Sequence, residues 1–237
     1  MLGFIAEGSD LPSYRLSCWV KQVILLHTEF LDDSVFFAFQ EPASGVPLAV
    51  FAFGFSVIIL SMANAEWIDA RAGLFVPVAF GTGALGMLVG GLMEYRRGNL
   101  FGGTFAVSYA CFLLTTPLIL RFFAEDVTTL AGALAFGQAF GAYLLLWAVF
   151  TAFLAYGAYY IALPGFLAFV LLVLVYLLAG IGFMSGPGGA ALIVIAGWVG
   201  IADGLCAFWL GMALLLNPMG PREIIPLMPY PYGRRRY

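Results

Sequence analysis

Asp203 stands in a run from Ala190 to Leu216 that carries no other charged side chain. A carboxylate placed in hydrocarbon costs at least about 2.5–3.5 kcal/mol by insertion scales, so a residue that keeps one there is a functional candidate by default. The neutral acid is far cheaper to bury than the anion, which makes Asp203 the candidate for carrying a proton. The competing structural reading is a protonated Asp hydrogen-bonded between helices, or one close to the membrane interface. Glu94 and Arg97 have the i,i+3 spacing of an ion pair at a helix end, with long side chains reaching the interface. That structural role is favoured here over direct contact with a solute. Ser56, Ser61 and Asn64 in one apolar stretch, and Ser108, Thr115 and Thr116 in another, supply further polar groups. Such hydroxyls commonly bond back to the carbonyl one helical turn earlier, but gathered on one wall they could hold an anion without fixed positive charge.

Other chemistries lack their residues. His27 is the single histidine, and Cys18, Cys111 and Cys206 lie far apart with no CxxC or Cys/His spacing. A haem pair, a zinc site or an iron–sulfur centre has no ligand set here, so no cofactor is expected. No nucleophile–base pair stands out either, and Asp203 alone does not make an active site, so the chain does not read as an enzyme.

The elements that must position these groups follow from composition. Of 237 residues, 63% are hydrophobic and only 10% charged, whereas ordinary soluble domains are about 25% charged. A span needs about 20 apolar residues, and the sequence offers a succession of them. They run from about Pro47 to Ala65, Gly73 to Met93, Phe101 to Leu120, Ala131 to Gly157, Ile161 to Met184 and Ala190 to Leu216. No strand-like alternation is present, so helices are the only spanning choice. The reading is an all-α polytopic membrane protein, a six-transmembrane-helix bundle. Disorder, a disulfide scaffold and a nucleic-acid module are excluded by the same composition.

Three regions are expected: 1–43, a polar N-terminal region; 44–216, the transmembrane domain; and 217–237, a proline-rich basic tail ending in Arg234-Arg235-Arg236. Within the first, Leu16, Trp19, Val20, Val23, Ile24 and Phe30 recur at helical spacing, as an amphipathic surface helix or else a flexible tail would have them. Arg15, Lys21, Arg96, Arg97, Arg222 and the terminal arginines fall on one side of the membrane, against Arg71 and Arg121 on the other. The positive-inside rule then puts both termini in the cytoplasm of a cytoplasmic or plasma membrane. Gly86 and Gly90, Gly137 and Gly141, and Gly200 and Gly204 have GxxxG spacing, which favours tight helix packing over a role in lining a pore. Trp67, Trp147, Trp198 and Trp209 are expected as interfacial or packing residues.

The run from Gly91 through Glu94-Tyr95-Arg96-Arg97-Gly98-Asn99 to Phe101-Gly102, followed by Phe105 and Ser108-Tyr109, resembles the acetate uptake transporter family. Further agreement comes from Pro47-Leu48, Phe53-Gly54, Trp147 with Phe150-Thr151, and Ala196-Gly197-Trp198-Val199-Gly200, and the likeness covers about residues 44–226. The resemblance implies a six-helix subunit with a pore through each protomer, assembly into a homo-hexamer, and uptake of acetate and perhaps succinate with protons. It also implies a hydrophobic constriction at Phe53, Tyr109 and Leu172, the last placed by counting forward from Trp147. The family's first-span motif reads Asn-Pro-Ala-Pro-Leu-Gly-Leu, where this chain has Ser44-Gly45-Val46-Pro47-Leu48-Ala49-Val50. Ser44 thus stands as a shorter donor where the family has Asn, and Ser44, Ser56 and Ser108 are the expected polar contacts along the substrate path.

Without a Lys or Arg inside the apolar segments, hydrogen-bond donors or movement together with a proton fit better than a permanently charged anion site. The expected function is therefore a channel or proton-coupled transporter for acetate and other small carboxylates. The alternatives are a conduit for a small neutral solute such as ammonia or urea, and a non-transporting membrane scaffold.

Overall fold

The computed structural model describes residues 43–69, 73–124 and 129–228, and every structural statement below concerns these. The expected amphipathic helix around Trp19 and the Arg234–Arg236 end lie outside them. Six helices are long and apolar enough to cross a membrane: α1 (Val46–Asn64), α2 (Phe75–Arg96), α3 (Leu100–Phe123), α4 (Leu130–Tyr159), α5 (Leu163–Met184) and α6 (Ala190–Leu216). All regular elements among the described residues are helical.

Local chemistry sets the helix ends. Pro47 and Pro164 occupy the first turns of α1 and α5, where a missing N–H costs nothing and a fixed φ is already helical. The Asn99 side chain caps α3 by accepting the Gly102 N–H at 3.0 Å, and Thr129 caps α4 through Gly132 at 3.1 Å. Each satisfies a donor that the helix itself leaves unpaired. Between α2 and α3 the chain reverses at Gly98, whose φ of 75° is a conformation that side-chain-bearing residues avoid. Two stretches depart from regular α geometry. Val78–Ala84 of α2 and Leu120–Ala124 at the end of α3, just past Pro117, are wound in wider π turns. Each stretch follows a proline, Pro77 in the first case and Pro117 in the second, and proline removes a backbone donor from the regular α pattern.

The helices close into a ring in the order α4, α5, α6, α1, α2, α3. Small residues allow the backbones to approach. A methyl group added at Gly90 of α2 would sit 2.6 Å from the Gly45 carbonyl oxygen before α1, and one at Gly86 would strike Ala52. Gly141 of α4 faces Gly180 of α5, while Gly200 and Gly204 of α6 face Ser61, Ile58 and Gly54 of α1. The three GxxxG pairs are thus spent on packing within the bundle, and none of their glycines borders either of the two cavities described below. The α3–α4 side closes through side chains instead. Phe112 stacks on Tyr143 at 6.0 Å, and the Thr116 and Tyr143 hydroxyls bond at 3.2 Å. Trp67 and Trp198 stack at 5.7 Å and are exposed, at the end of the bundle away from the α2–α3 turn. That is the place of an interfacial aromatic belt.

Candidate functional site

A cavity of about 480 Å³ enters the ring from the end where α1 begins and α2 stops. Val46, Val50, Phe53, Phe105, Phe169 and Leu172 form its apolar walls and floor, and Ser44, Glu94, Arg97, Asn99 and Glu223 form its polar rim. A second cavity of about 50 Å³ lies beyond the floor, among Val57, Ser61, Asn64, Thr116, Tyr176 and others. Leu172 borders both.

Between the cavities the side chains are in contact. The Phe53 and Tyr109 rings meet edge to face with centroids 5.5 Å apart, and Phe105 meets Phe169 in the same way at 5.2 Å. Such pairs add about 0.5–1.5 kcal/mol each beyond area burial. Phe53 and Leu172 are buried, and Tyr109 is 0% exposed and touches neither cavity. Its hydroxyl is bonded to Thr151 Oγ1. Because the Thr151 hydroxyl donates to the Trp147 carbonyl at 2.6 Å, its one proton is committed, and Tyr109 must be the donor in that pair.

At the rim, Glu94 is 1% exposed. Its Oε1 accepts the Gly45 N–H at 2.7 Å and the Ser44 hydroxyl at 2.9 Å, and its Oε2 accepts the Asn99 amide. Arg97 Nε lies 3.8 Å away. The ion pair expected at this helix end is present, but Glu94 is also a hub joining α1, α2 and α3. A carboxylate accepting several short bonds at the start of α1 satisfies orphan donors and sits favourably at the positive end of the helix. Ser44 does line the cavity, yet its hydroxyl proton is given to Glu94.

The other expected path residues stand off the cavities. Ser56 Oγ bonds back to the Ala52 carbonyl at 3.0 Å and packs toward α2 next to Gly83. Ser108 is half-buried on α3, and neither serine borders either cavity.

Asp203 lies at the midpoint of α6 and is 0% exposed. Neither of its carboxyl oxygens has a hydrogen-bond partner among the described residues, and the Tyr176 hydroxyl is in the same position. The Tyr109 and Tyr176 hydroxyls lie near enough to interact electrostatically with it. Ala207, one turn along α6, borders the larger cavity, and Tyr176 borders the smaller.

Several site residues carry little signal in the sequence. Phe105 and Thr151 belong to motifs noted above, but nothing local marks Phe105 as floor or Thr151 as the partner of Tyr109. Glu223 and Leu227 enter the cavity wall from the tail. They do so because Asn217 folds that tail back, accepting the Ile224 and Ile225 N–H groups at 2.9 Å each.

Comparison with known proteins gives a consistent outcome. Residues 36–231 match the GPR1/FUN34/yaaH family. The succinate-acetate/proton symporter SatP of Escherichia coli K12 is 34% identical over 185 residues, covering 78% of this chain and 95% of that protein. Acetate permease A of Emericella nidulans is 28% identical over 207 residues, 82% of this chain and 70% of that protein. The solved structure of the bacterial acetate channel SatP superposes with a TM-score of 0.70 at 33% identity, covering 78% of this chain and 98% of that one.

Proposed function

This chain belongs to the GPR1/FUN34/yaaH family, and from that premise we propose that it carries acetate, and with it other small carboxylates such as succinate, across a membrane through a pathway inside each protomer. It is a multi-pass membrane protein. The observation that carries the reading is Leu172, which borders both cavities, with Phe53 lining the larger one and meeting the buried Tyr109 ring edge to face. An apolar waist of this kind gates by size and by dewetting. The constriction is Phe53, Tyr109 and Leu172, and the apolar walls on either side carry the solute's methyl end.

A carboxylic acid with the reference pKa of a Glu side chain, about 4.3, is only roughly 0.2% neutral at pH 7. Passage through bare lipid is limited to that fraction, so a protein path raises the flux. The same proposal holds that both termini face the cytoplasm, with Arg96, Arg97 and Arg222 on that side, and that protomers assemble as a homo-hexamer. The exposed apolar face of α4, with Leu146, Val149 and Phe153, suits lipid or a neighbouring protomer.

The test is reconstitution into vesicles with labelled acetate. Saturable uptake above protein-free vesicles, competed by succinate, supports the reading. Passage of ammonia without acetate uptake replaces it with the neutral-solute conduit, and an absence of flux for both leaves a scaffold.

A further inference from the structure

Asp203, Tyr176 and Tyr109 bring their polar ends together from α6, α5 and α3 behind the waist. We propose that Asp203 is the proton-binding station of the transport cycle, taking its proton from the larger cavity and giving it to the solute that crosses the waist. The inference rests on the carboxylate-transport reading above.

Native interiors pair roughly 90% or more of their buried polar groups, and each exception calls for an explanation. Here the exceptions are Asp203 Oδ1 and Oδ2 and the Tyr176 hydroxyl, grouped in one place. A structural Asp in a membrane span is retained by hydrogen bonds to neighbouring helices, and Asp203 makes none among the described residues. Proximity to the interface does not explain it either, because it is the midpoint of α6. The groups that face it are the Tyr109 hydroxyl from α3, the Tyr176 hydroxyl from α5 and the Cys206 thiol from its own helix. Helix α1 contains no titratable side chain, and α4 supplies Thr151, bonded to Tyr109. The described arginines, Arg96, Arg97, Arg121 and Arg222, all sit at helix ends or in the tail. An anion at this position has no counter-charge, so the packed waist holds Asp203 as the neutral acid.

Opening the waist changes that balance. A carboxylate that passes Phe53 brings water with it to the level of Ala207, one turn from Asp203. The Asp203 O–H bond then breaks, its proton goes to the solute carboxylate, and the solute leaves as a neutral acid that crosses the apolar floor cheaply. Asp203 is left as a hydrated carboxylate. Reclosure expels the water and requires Asp203 to take up a proton, and it does so from the larger cavity at the level of Ala207, the side from which the carboxylate entered. One carboxylate and one proton cross per cycle, without net charge.

Two measurements on the full-length protein test this. Infrared difference spectra of the protein in lipid at neutral pH should show a protonated-carboxyl C=O band that is lost in Asp203→Asn and shifted in Asp203→Glu. Absence of the band in the parent protein, or its survival in Asp203→Asn, overturns the proposal whether or not acetate moves. In vesicles, acetate uptake by the parent protein should change less than about twofold under an imposed membrane potential, whereas uptake by Asp203→Asn should change by about fivefold or more, because the anion then crosses alone. Asp203→Glu should restore insensitivity. Equal responses in all three proteins, or a flux in the parent set by sodium rather than by pH, also overturn it. Loss of acetate flux in the parent protein with the infrared band intact counts against the transport reading instead.

Discussion

Glu94 Oε1 accepts the backbone N–H of Gly45 at 2.7 Å, which ties the last turn of α2 to the first turn of α1 across 49 residues of sequence. The same oxygen takes the Ser44 hydroxyl, and the other takes Asn99 at the cap of α3. The mouth of the larger cavity is therefore framed by one carboxylate and the donors it gathers, and the rim geometry depends on that carboxylate more than on any other side chain. Ser44 lines that mouth while its hydroxyl proton is given to Glu94.

Glu94→Ala removes the acceptor and leaves buried donors behind, so it should destabilise the protein by about 3–5 kcal/mol, as breaking a buried charged network does. Ser44→Ala removes one bond of that network and should cost about 1 kcal/mol. Thermal unfolding in detergent, followed by tryptophan fluorescence, checks both. A Glu94→Ala protein as stable as the parent would mean that the hub is not what holds the mouth together.

The waist makes a selectivity prediction. Phe53→Ala combined with Leu172→Ala removes two of the side chains between the cavities and should open a continuous passage. Uptake of a bulkier carboxylate such as benzoate should rise by about tenfold or more relative to acetate, since size exclusion by an apolar constriction is lost. The measurement is the ratio of initial uptake rates in vesicles. An unchanged ratio means that the solute is selected elsewhere along the path.

Tyr109 and Thr151 form a buried pair whose worth can be isolated. Thr151→Val keeps the shape but leaves the Tyr109 hydroxyl unsatisfied, which should cost about 1–3 kcal/mol. Tyr109→Phe in that background removes the orphan and should recover part of the loss. A double-mutant cycle on thermal stability reads the coupling, and additive single effects would show that the bond contributes nothing to the folded state.

How far the sequence discloses this molecule depends on the range of the interaction. The helix α6 begins and ends where hydropathy places it, and the other spans agree within two residues except at the ends of α2 and α3, which run three residues further. Those two are the helices with π turns. Hydropathy reports how apolar a stretch is, and it does not register a change of winding at Val78 or after Pro117. The GxxxG spacings point correctly to close helix contact, although only the fold shows that α6 meets α1 and α4 meets α5. Asp203 is visible as a lone carboxyl in an apolar run. Its lack of partners is not, because Tyr109 and Tyr176 lie 94 and 27 residues away in the chain. The Ser44–Glu94 bond is hidden for the same reason, and so is the return of the tail, which the proline content alone leaves irregular.

That return carries the last prediction. The Asn217 side chain accepts the N–H groups of Ile224 and Ile225 and donates to the Ile225 carbonyl at 2.8 Å, while the Trp209 indole donates to the Pro226 carbonyl at 3.0 Å. Glu223 and Leu227 are thereby held in the wall of the larger cavity, and the Met228 carbonyl accepts the N–H of Leu163 at 3.3 Å, at the start of α5. An acidic side chain fixed beside an anion's route repels the solute, so the folded tail lowers the concentration of carboxylate at the mouth. Asn217→Ala releases three hydrogen bonds at once and frees the tail from the rim. Limited proteolysis should then cut near Arg222 at least about tenfold faster, because cleavage tracks the population of the open form. Acetate uptake at low ionic strength should rise by about twofold to threefold, with the difference shrinking in high salt as the Glu223 charge is screened. Glu223→Gln should reproduce the gain in uptake while leaving proteolysis at the parental rate. If Glu223→Gln leaves uptake unchanged, the tail acts at the mouth through its bulk and not through its charge.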